Sequence, residues 1–457
     1  MPGPGRPHSQ RLPTITRLGI VLVLSGLLAG CDVLSGLTSP VLTPIAESLV
    51  GGPDLVIAGD FLVVDGQPRT GMVRMSPNGR VDGNFSVSVN GEISSVVAVA
   101  VGGEPRLYIG GDFTSVNGVA VTGLAAVDSR TGALISGFRP EIVNTAGVAG
   151  VAALLPVSER NSIIAGGLFN SVTGPTSQFI VTSLAEFDLQ SGLADPGFSP
   201  ELQPNGPATL VESLTAGYRE TGGWTLVAGG LFTVGVAPNL FYGGAAFDRG
   251  GTLLAVIPPA TNQNSRVPTV LRLQDDGLFG ITGLVTNGSD DTHYAEVFFP
   301  DTIGATGYRE FQPRQPETEE LIVTDTNITA GNVRTSIKRA DGGLILGGSD
   351  NIYVPFGSSI AIGVDAQGAA DSGGYLIPAG TNPNPRVEVL LRNRDGAIYV
   401  GGSFDGVTDA FGVSGGGSIV RANDALEIDP SFSPTFSGAL VAANPIVNDI
   451  LQLPLGF

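Results

Sequence analysis

Short apolar runs separated by polar turns recur along most of this chain, and many of them end in a pair of glycines. In the copy around RLYIGGDF, the apolar runs are bounded by Gly, Asp and Pro and alternate with polar loops such as TSVNG and DSRTG. Runs of this length and bounding are typical of β-strands. The pattern predicts four strands in this copy: Ile93 to Val101 innermost, Arg106 to Phe113, Thr122 to Asp128, and Ala133 to Phe138 outermost.

The glycine that closes each such strand recurs at intervals of 52 to 65 residues, at positions Gly59, Gly111, Gly167, Gly230, Gly283, Gly348 and Gly402. Seven copies at this spacing indicate a repeat architecture. A four-stranded unit cannot bury both of its faces alone, whereas radial stacking of such units covers both faces and leaves only short edges. We therefore predict an all-β fold, a seven-bladed β-propeller of four-stranded antiparallel blades.

The two ends of the repeat region complement each other. The first copy begins at DLVIAGDF without the apolar strand that precedes the other copies, and the last copy ends with IVNDILQLPLGF, which has the character of that strand. Pairing of Ile446 to Leu453 with Leu55 to Phe61 would remove two exposed strand edges. The sequence thus predicts that the C-terminal strand completes the N-terminal blade.

The segments AIYVGGSFDGVTD and LEIDPSFSP, RLYIGGDFTSVNGV, and LADPGFSP resemble the bacterial delta-60 repeat family. The resemblance covers residues 54–457 and implies a β-propeller, and it carries no catalytic residues. Copies five and six depart from the motif, because ITGLVTNGSDD and LGGSDNIYVPFG lack the phenylalanine after the glycines.

The N-terminal segment has the pattern of an export signal. An apolar run, LGIVLVLSGLLAG, follows three arginines and leads to Leu28-Ala29-Gly30-Cys31, which resembles a bacterial lipobox. We expect residues 1–30 to be a lipoprotein signal peptide, Cys31 to carry the diacylglyceryl membrane anchor, and residues 31–53 to be a tether to a propeller domain at 54–457. The alternative is an ordinary signal peptide with a chance cysteine. Asp32, the residue after the cysteine, is compatible with anchoring of the protein at the inner membrane, at the outer membrane or at the cell surface.

The amino-acid composition limits the classes of partner and of chemical site that the chain can have. The 23 basic and 42 acidic residues give a formal net charge of −19, which disfavours nucleic acid as a partner. The single cysteine excludes an internal disulfide, and only His293 remains beyond the signal segment, so a histidine zinc site or a Ser-His-Asp triad is poorly supported. No DxDxDG calcium loop occurs. We expect no cofactor and no metal, although acids in the turns leave calcium open.

Five basic residues near the ends of the predicted inner strands form a candidate site. Alignment of VPTVLRLQDDG, VRTSIKRADGG and VEVLLRNRDG places Arg272, Lys338 and Arg392 at one equivalent position, with Arg339 and Arg394 close behind. In neighbouring blades these cations would cluster at the channel mouth and bind an anionic group, such as a carboxylate, a phosphate or an acidic partner loop. The alternative is that they pair with the nearby acids Asp275, Asp341, Asp395 or Glu388.

The sequence favours a lipid-anchored binding or scaffold module of the bacterial cell envelope, with a protein or anionic ligand as its partner. The alternative is an envelope carbohydrate hydrolase or lyase that uses paired carboxylates. Candidate acids for it lie in the longest insertions of copy five, namely Asp290, Asp291, Glu317, Glu319 and Glu320. A cleft with two convergent carboxylates would favour the enzyme, and a channel-type face would favour binding.

Overall fold

The computed structural model describes residues 54–200, 202–203, 209–218, 224–236, 239–256, 266–272, 279–287, 290–298, 333–349, 359–365, 370–454 and 457. The signal peptide at 1–30, the anchor at Cys31 and the tether to residue 53 lie outside this part of the chain. The repeat region belongs to one compact unit, Gly52–Phe457.

The described residues form β-strands and one short 3₁₀ turn, Ser158–Arg160. The first copy contains β1 (Leu55–Asp60), β2 (Val63–Val64), β3 (Gln67–Pro68) and β4 (Met72–Met75). The second contains β5 (Ile93–Val101), β6 (Glu104–Gly111), β7 (Ser115–Val116), β8 (Val119–Ala120) and β9 (Leu124–Asp128). The third contains β10 (Ile142–Val143), β11 (Gly150–Val157), β12 (Ser162–Leu168), β13 (Ser171–Thr173), β14 (Gln178–Ile180) and β15 (Leu184–Asp188).

The later copies continue the same order. The fourth contains β16 (Leu202–Gln203), β17 (Leu210–Tyr218), β18 (Trp224–Val236), β19 (Asn239–Phe247) and β20 (Leu253–Val256). The fifth and sixth contain β21 (Arg266–Arg272), β22 (Phe279–Asn287), β23 (Asp290–Phe298), β24 (Val333–Lys338), β25 (Leu344–Gly348) and β26 (Ala361–Val364). The last contains β27 (Ala370–Ala379), β28 (Arg386–Arg392), β29 (Ile398–Ser403), β30 (Gly406–Asp409), β31 (Ser414–Gly415) and β32 (Ile419–Ala422), followed by β33 (Phe436–Ser437) and β34 (Ile446–Gln452).

Seven antiparallel sheets repeat one arrangement, in which a first strand pairs with a glycine-rich second strand and the second pairs with a third. In order, these sheets are β34-β1-β4, β5-β6-β9, β11-β12-β15, β17-β18-β19, β21-β22-β23, β24-β25-β26 and β28-β29-β32, and we number them sheets 1 to 7. The first strands contact one another in the order β34, β5, β11, β17, β21, β24, β28, and β28 contacts β34 again.

The pairing of the two chain ends is confirmed. The C-terminal strand β34 runs antiparallel to β1, with Leu55 opposite Gln452 and Asp60 opposite Ile446. The end of the chain thus supplies the first strand of sheet 1.

The predicted outer strand of each copy is mostly absent. In the second copy the segment from Ala133 to Phe138 makes a single bridge, Val127 to Leu134, and equivalent single bridges occur at Met75–Val81, Phe187–Ala194 and Ala422–Ile428. A second turn explains this: Phe138 N–H donates to Ile135 O at 3.2 Å, so the chain turns away from the ladder just after the bridge. Two of the described sheets extend the third strand with a fourth, sheet 4 with β20 and sheet 6 with β27.

Hydrophobic cores lie between consecutive sheets. One cluster joins sheets 1 and 2, and others join sheets 2 and 3, 3 and 4, 6 and 7, and 7 and 1. The phenylalanines that follow the glycine pairs are buried in these cores, as are those that close the copies: Phe61, Phe113, Phe169, Phe232, Phe404, Phe85, Phe138, Phe198 and Phe432. All nine therefore pack between sheets.

Small hairpins form a second layer at one end of the sheets. Hairpins β2–β3, β7–β8, β13–β14 and β30–β31 each follow the end of a second strand. Segments that leave the preceding copy pair with them, as β10 does with β13 and β27 with β30. We call this end, together with the loops that lead into the first strands, the hairpin face. The turns after the first and third strands lie at the opposite end.

Candidate functional site

Every first strand carries a β-bulge at the same place, where it begins at the hairpin face. A buried Ile or Val faces the second glycine of the pair, the next residue is extra, and the one after it faces the first glycine or its equivalent. The buried residues are Ile93, Val151, Val211, Val333, Val387 and Val447. A register shift also occurs in sheet 5, between Arg266 and Thr269. Bulges redirect side chains. In the six sheets whose bulges are described in full, the extra residue therefore lies at the same height along the first strand.

The glycine pair is required by this geometry. A Cβ on Gly111 would overlap the carbonyl oxygen of Glu92, and the same conflict with the facing carbonyl exists at Gly59, Gly167, Gly230 and Gly402. A Cβ on the first glycine of sheets 2, 3, 6 and 7 would lie 2.5 to 2.7 Å from a valine Cγ1 in the next sheet. The second glycine therefore permits the bulge, and the first permits close packing between sheets.

The bulges open onto a cavity of about 450 Å³, lined by the first strands of sheets 1, 2, 3, 4, 6 and 7. Its charged lining residues are Glu92, Glu212, Arg334, Arg386, Glu388 and Asp449. Three of these, Glu212, Arg334 and Glu388, are the extra residues of their bulges. A cavity of this size is in the range of small-ligand sites, so we take it as the candidate functional site.

Two arginines converge on one carboxylate on one wall of the cavity. Arg386 Nε donates to Glu388 Oε1, and Arg334 Nη1 lies 3.3 Å from Glu388 Oε2. Arg334 Nε also donates to Ser349 Oγ at 3.5 Å, and Arg386 Nη1 donates to Asn384 O at 3.4 Å. All three groups are partly exposed. Two guanidinium groups thus share one carboxylate on this wall.

Two carboxyl groups with raised pKa lie beside this wall, Glu92 just before β5 and Asp449 on β34. Burial raises the pKa of Glu92, and the carboxylates of Asp60, Asp112 and Glu388 add to the effect, while the hydrogen bond from Asn448 Nδ2 opposes it. Burial also raises the pKa of Asp449 to about 6, although Val96 N–H donates to its Oδ2 at 2.7 Å. With a pKa of about 6, the Asp449 carboxyl is mostly ionised at neutral pH and loses its charge in acid, and the raised pKa of Glu92 shifts that residue in the same direction.

The raised pKa of Asp449 predicts a pH-dependent penalty on stability. Between an ordinary pKa of 3.8 and about 6 the folded protein binds the proton more tightly than the unfolded chain, so the stability contributed by this group falls as pH rises. Because the side chain is only half-buried, we expect Asp449→Asn to be more stable than the wild type by about 1–2 kcal/mol at pH 7.5. Urea unfolding should show the two proteins converging near pH 4.

The matched control is a carboxyl group whose pKa is shifted in the opposite direction. The hydrogen bonds from Ser431 and the neighbouring Arg421 hold the pKa of Asp429 below its usual value. Asp429→Asn should therefore lose stability at pH 7.5 and approach the wild type in acid. If Asp449→Asn were less stable than the wild type at every pH, its carboxylate would be a net stabilising group and the prediction would be wrong.

The five cations predicted from sequence lie at the other end of the first strands. Arg392 and Lys338 end β28 and β24, far along these strands from Arg386 and Arg334, which lie at their bulges. The structure brings Arg392 and Lys338 together, since Arg392 Nη2 donates to Lys338 O at 2.8 Å. Arg394 is exposed in the turn that follows. The side chain of Arg272 lies outside the described residues.

Two of these cations are engaged by acids. Arg392 forms an ion pair with Asp424, and Arg339 forms ion pairs with Asp341 at 3.2 Å and with Asp371 at 3.1 Å. Glu388, one of the acids considered as their partner, pairs instead with the arginines of the cavity. Anion binding by the predicted cluster remains a prediction.

The acids of copy five are placed only in part. The sequence places Asp290 and Asp291 in an insertion of copy five, but they and His293 belong to β23, where His293 is the backbone pairing partner of Leu284 in β22. Strand β23 pairs with β22 along its whole length without a register shift. The short polar segment between the two strands did not indicate this regular pairing. Glu317, Glu319 and Glu320 lie outside the described residues.

A second cavity of about 390 Å³, bordered by sheet 3, is lined by residues that form ion pairs with one another. Glu186 is 2% exposed, receives a hydrogen bond from Ser162, and lies 3.0 Å from Arg160, which also contacts Asp195 at 2.6 Å. In sheets 1 and 7 an arginine of the third strand, Arg74 or Arg421, bonds the equivalent aspartate. The cluster of Arg160, Glu186 and Asp195 is therefore a structural variant of an arginine–aspartate ion pair that recurs in other copies.

Two wider properties of the described residues bear on function. No group of three His, Cys, Asp or Glu residues in this part of the chain could hold a metal ion. Nor does the same part contain a helix with the length and apolar character needed to cross a membrane.

No family model and no curated protein matches this chain. Among solved structures, it is similar to the extracellular domain of a candidate one-component system from B. thetaiotaomicron, with 12% identity and a TM-score of 0.30 over 84% of this chain and 46% of that one. It is also similar to PorZ, a surface component of the type-IX secretion system of Porphyromonas gingivalis, with 11% identity and a TM-score of 0.33 over 83% and 56%. The chain thus spans about half the length of each, and at these TM-scores the similarity says nothing of its function.

Proposed function

We propose that this protein is a lipid-anchored, seven-bladed β-propeller of the bacterial cell envelope that binds a partner protein through its hairpin face. The cyclic order of contacts among the seven first strands and the pairing of β34 with β1 support the propeller. The lipobox at Cys31 supports the anchor, and two acyl chains suffice for stable attachment.

The observation that carries the binding function is the distribution of exposed apolar side chains. Among the described residues, every large hydrophobic side chain that is exposed lies on the hairpin face: Val119, Val143, Val148, Ile180, Phe411, Val413, Leu440 and Val441. Ile180 is 86% exposed and Phe411 is 66% exposed. Apolar side chains gathered at one end, around a cavity mouth, are typical of a protein-binding surface.

Charge indicates the character of the partner. Acids are interspersed with these apolar residues and are exposed, namely Asp65, Asp112, Glu141 and Asp405. The chain as a whole has a formal net charge of −19. Electrostatic complementarity then favours a protein whose contact surface combines apolar side chains with Lys and Arg.

Capture from the native envelope tests this function. The full lipidated protein should retain a specific partner, identified by mass spectrometry, and the double variant Ile180→Asp with Phe411→Asp should lose it. A control with the same added charge at the opposite end, Gln190→Asp with Ala340→Asp, should retain it, since both control positions are exposed turn residues. Capture of the same proteins in equal amounts by all three forms would contradict docking at the hairpin face.

A further inference from the structure

Strand β14 (Gln178–Ile180) is an open edge of the hairpin layer. In its three-stranded sheet the order is β10-β13-β14, so β14 pairs with β13 on one side and with no described strand on the other. The other hairpin strands at such an edge, β3, β8 and β31, have two residues each, and β3 includes Pro68, which has no N–H to donate. Among the described hairpins, β14 therefore presents the longest open edge.

The ladder of β13 and β14 determines which backbone groups face outward. Val181 N–H donates to Asn170 O at 3.2 Å, one hydrogen-bonded pair along the ladder from Phe179. Because hydrogen-bonded pairs alternate with non-bonded pairs along an antiparallel ladder, the N–H and C=O of Phe179 point toward β13. Those of Gln178 and Ile180 therefore point away from β13, toward the open side.

The usual protection of a strand edge is missing at β14. Edge strands of native proteins are commonly guarded by charged side chains or by proline. Residues 161–185 contain no Asp, Glu, Lys or Arg, and their single proline, Pro175, lies before β14 and not in it. The side chain of Ile180 is 86% exposed. An uncharged open edge with an exposed apolar side chain is suited to pairing with a further strand.

Size and charge favour a segment of another protein over a second copy of this chain. Two three-residue edges are about 10 Å long, so a dimer joined there would bury far less than the roughly 1,200 Å² of a stable interface. Each copy would also carry a formal net charge of −19, so the two would repel. A basic partner meets no such repulsion and adds contacts elsewhere on the hairpin face.

We propose that the partner protein adds an extended segment to β14 as the next strand of the sheet β10-β13-β14. The backbone of this segment pairs with Gln178 and Ile180, and one of its apolar side chains lies against Ile180. Alternating apolar and neutral polar residues with basic ends match the uncharged edge and the acidic chain. The proposal rests on the proposed function, because it states how the partner is held on the hairpin face.

A designed peptide tests strand addition directly. The probe is the heptapeptide Lys-Thr-Val-Thr-Val-Thr-Lys with acetylated and amidated ends, titrated calorimetrically into the purified full-length protein. It should bind with a Kd below about 1 mM, and replacement of both valines by serine should weaken binding at least tenfold. At saturation, amide hydrogen exchange of residues 175–182 should slow at least tenfold, because the outward N–H groups of β14 gain acceptors.

Two substitutions at one position separate the backbone from the side chain. Gln178→Pro removes an outward N–H and no bond of the β13 ladder, so it should weaken probe binding at least tenfold. Gln178→Ala keeps that N–H and should bind the probe like the wild type, as should Phe411→Asp, which lies on a different hairpin. All three should unfold at the wild-type urea midpoint. If Gln178→Pro does not, the exchange rates of the wild type decide.

Absence of probe binding, or binding without slower exchange at residues 175–182, would overturn strand addition. So would a wild-type dimer that Gln178→Pro dissociates, since a second copy would then occupy the edge. If the double variant Ile180→Asp with Phe411→Asp loses the envelope partner but the probe does not bind, docking on the hairpin face stands and strand addition is wrong. If the probe binds at β14 but envelope capture is unchanged by the double variant, strand addition stands and the proposed function is wrong.

Discussion

Gly111→Ala should destabilise the protein by about 3 kcal/mol, because the new Cβ has no space in a backbone-to-backbone contact. It would overlap the carbonyl oxygen of Glu92 and lie 3.0 Å from Cα of Ile93. Neither atom belongs to a flexible side chain, so the bulge of β5 would have to shift. The measurement is the urea midpoint, with an unchanged slope taken as evidence that only stability changed.

A second glycine of the same copy provides the control. Gly137 has no heavy atom within 4 Å of a built Cβ, and its φ is not positive. Gly137→Ala should therefore range from neutral to about 1 kcal/mol more stable, through reduced freedom of the unfolded chain. Equal stability of the two alanine variants would show that the glycine pair is not needed for the bulge.

The glycine pairs also explain why the fold was largely readable from sequence. Because each pair marks the end of a second strand, the sequence placed β5 at Ile93–Val101 and located β6 and β9 to within two residues at most boundaries. The closing strand β34 was readable for the same reason, since the first copy lacks the partner that every glycine-rich strand requires.

The elements that were not predicted correctly have two separate physical causes. The hairpin strands are two to four residues long, as in β7 and β8, and no hydrophobic period can be recognised over so few positions. The predicted fourth strand of the second copy is reduced to a single bridge because a turn closed by the hydrogen bond from Phe138 N–H to Ile135 O takes the chain out of the ladder.

The cavity residues lie where the first strands begin, whereas the column of cations in the aligned repeats lies where those strands end. The cavity residues were therefore not predicted. The repeated position of Arg392 and Lys338 was visible as a column of cations, whereas the residue after each buried Val or Ile varies from Ser94 to Glu212 to Arg334. That variation is itself the signal. A constant β-branched residue opposite a glycine pair predicts the bulge, and the variable residue after it predicts what faces the cavity.

One buried carboxylate holds the loop that leads into the C-terminal strand β34. Asp60 is 0% exposed, and its two oxygens accept backbone N–H groups of Leu440 at 2.6 Å, Val441 at 2.9 Å and Ala442 at 2.7 Å. These three residues lead directly into β34, whose first residue, Ile446, pairs with Asp60 itself. The side chain therefore fixes the approach of the closing strand.

Asp60→Ala should cost about 3 kcal/mol of stability, because three charge-assisted hydrogen bonds are lost together and the freed N–H groups regain only part of that energy from water. Limited proteolysis should cut residues 438–445 earlier than in the wild type. Asp405→Ala is the matched comparison, since Asp405 holds the loop before β28 through the N–H groups of Thr381 and Asn382 but is exposed. Its loss should cost about 1 kcal/mol. If Asp60→Ala were as stable as the wild type and residues 438–445 were cut at the same rate, the position of β34 would depend on the β1–β34 ladder alone.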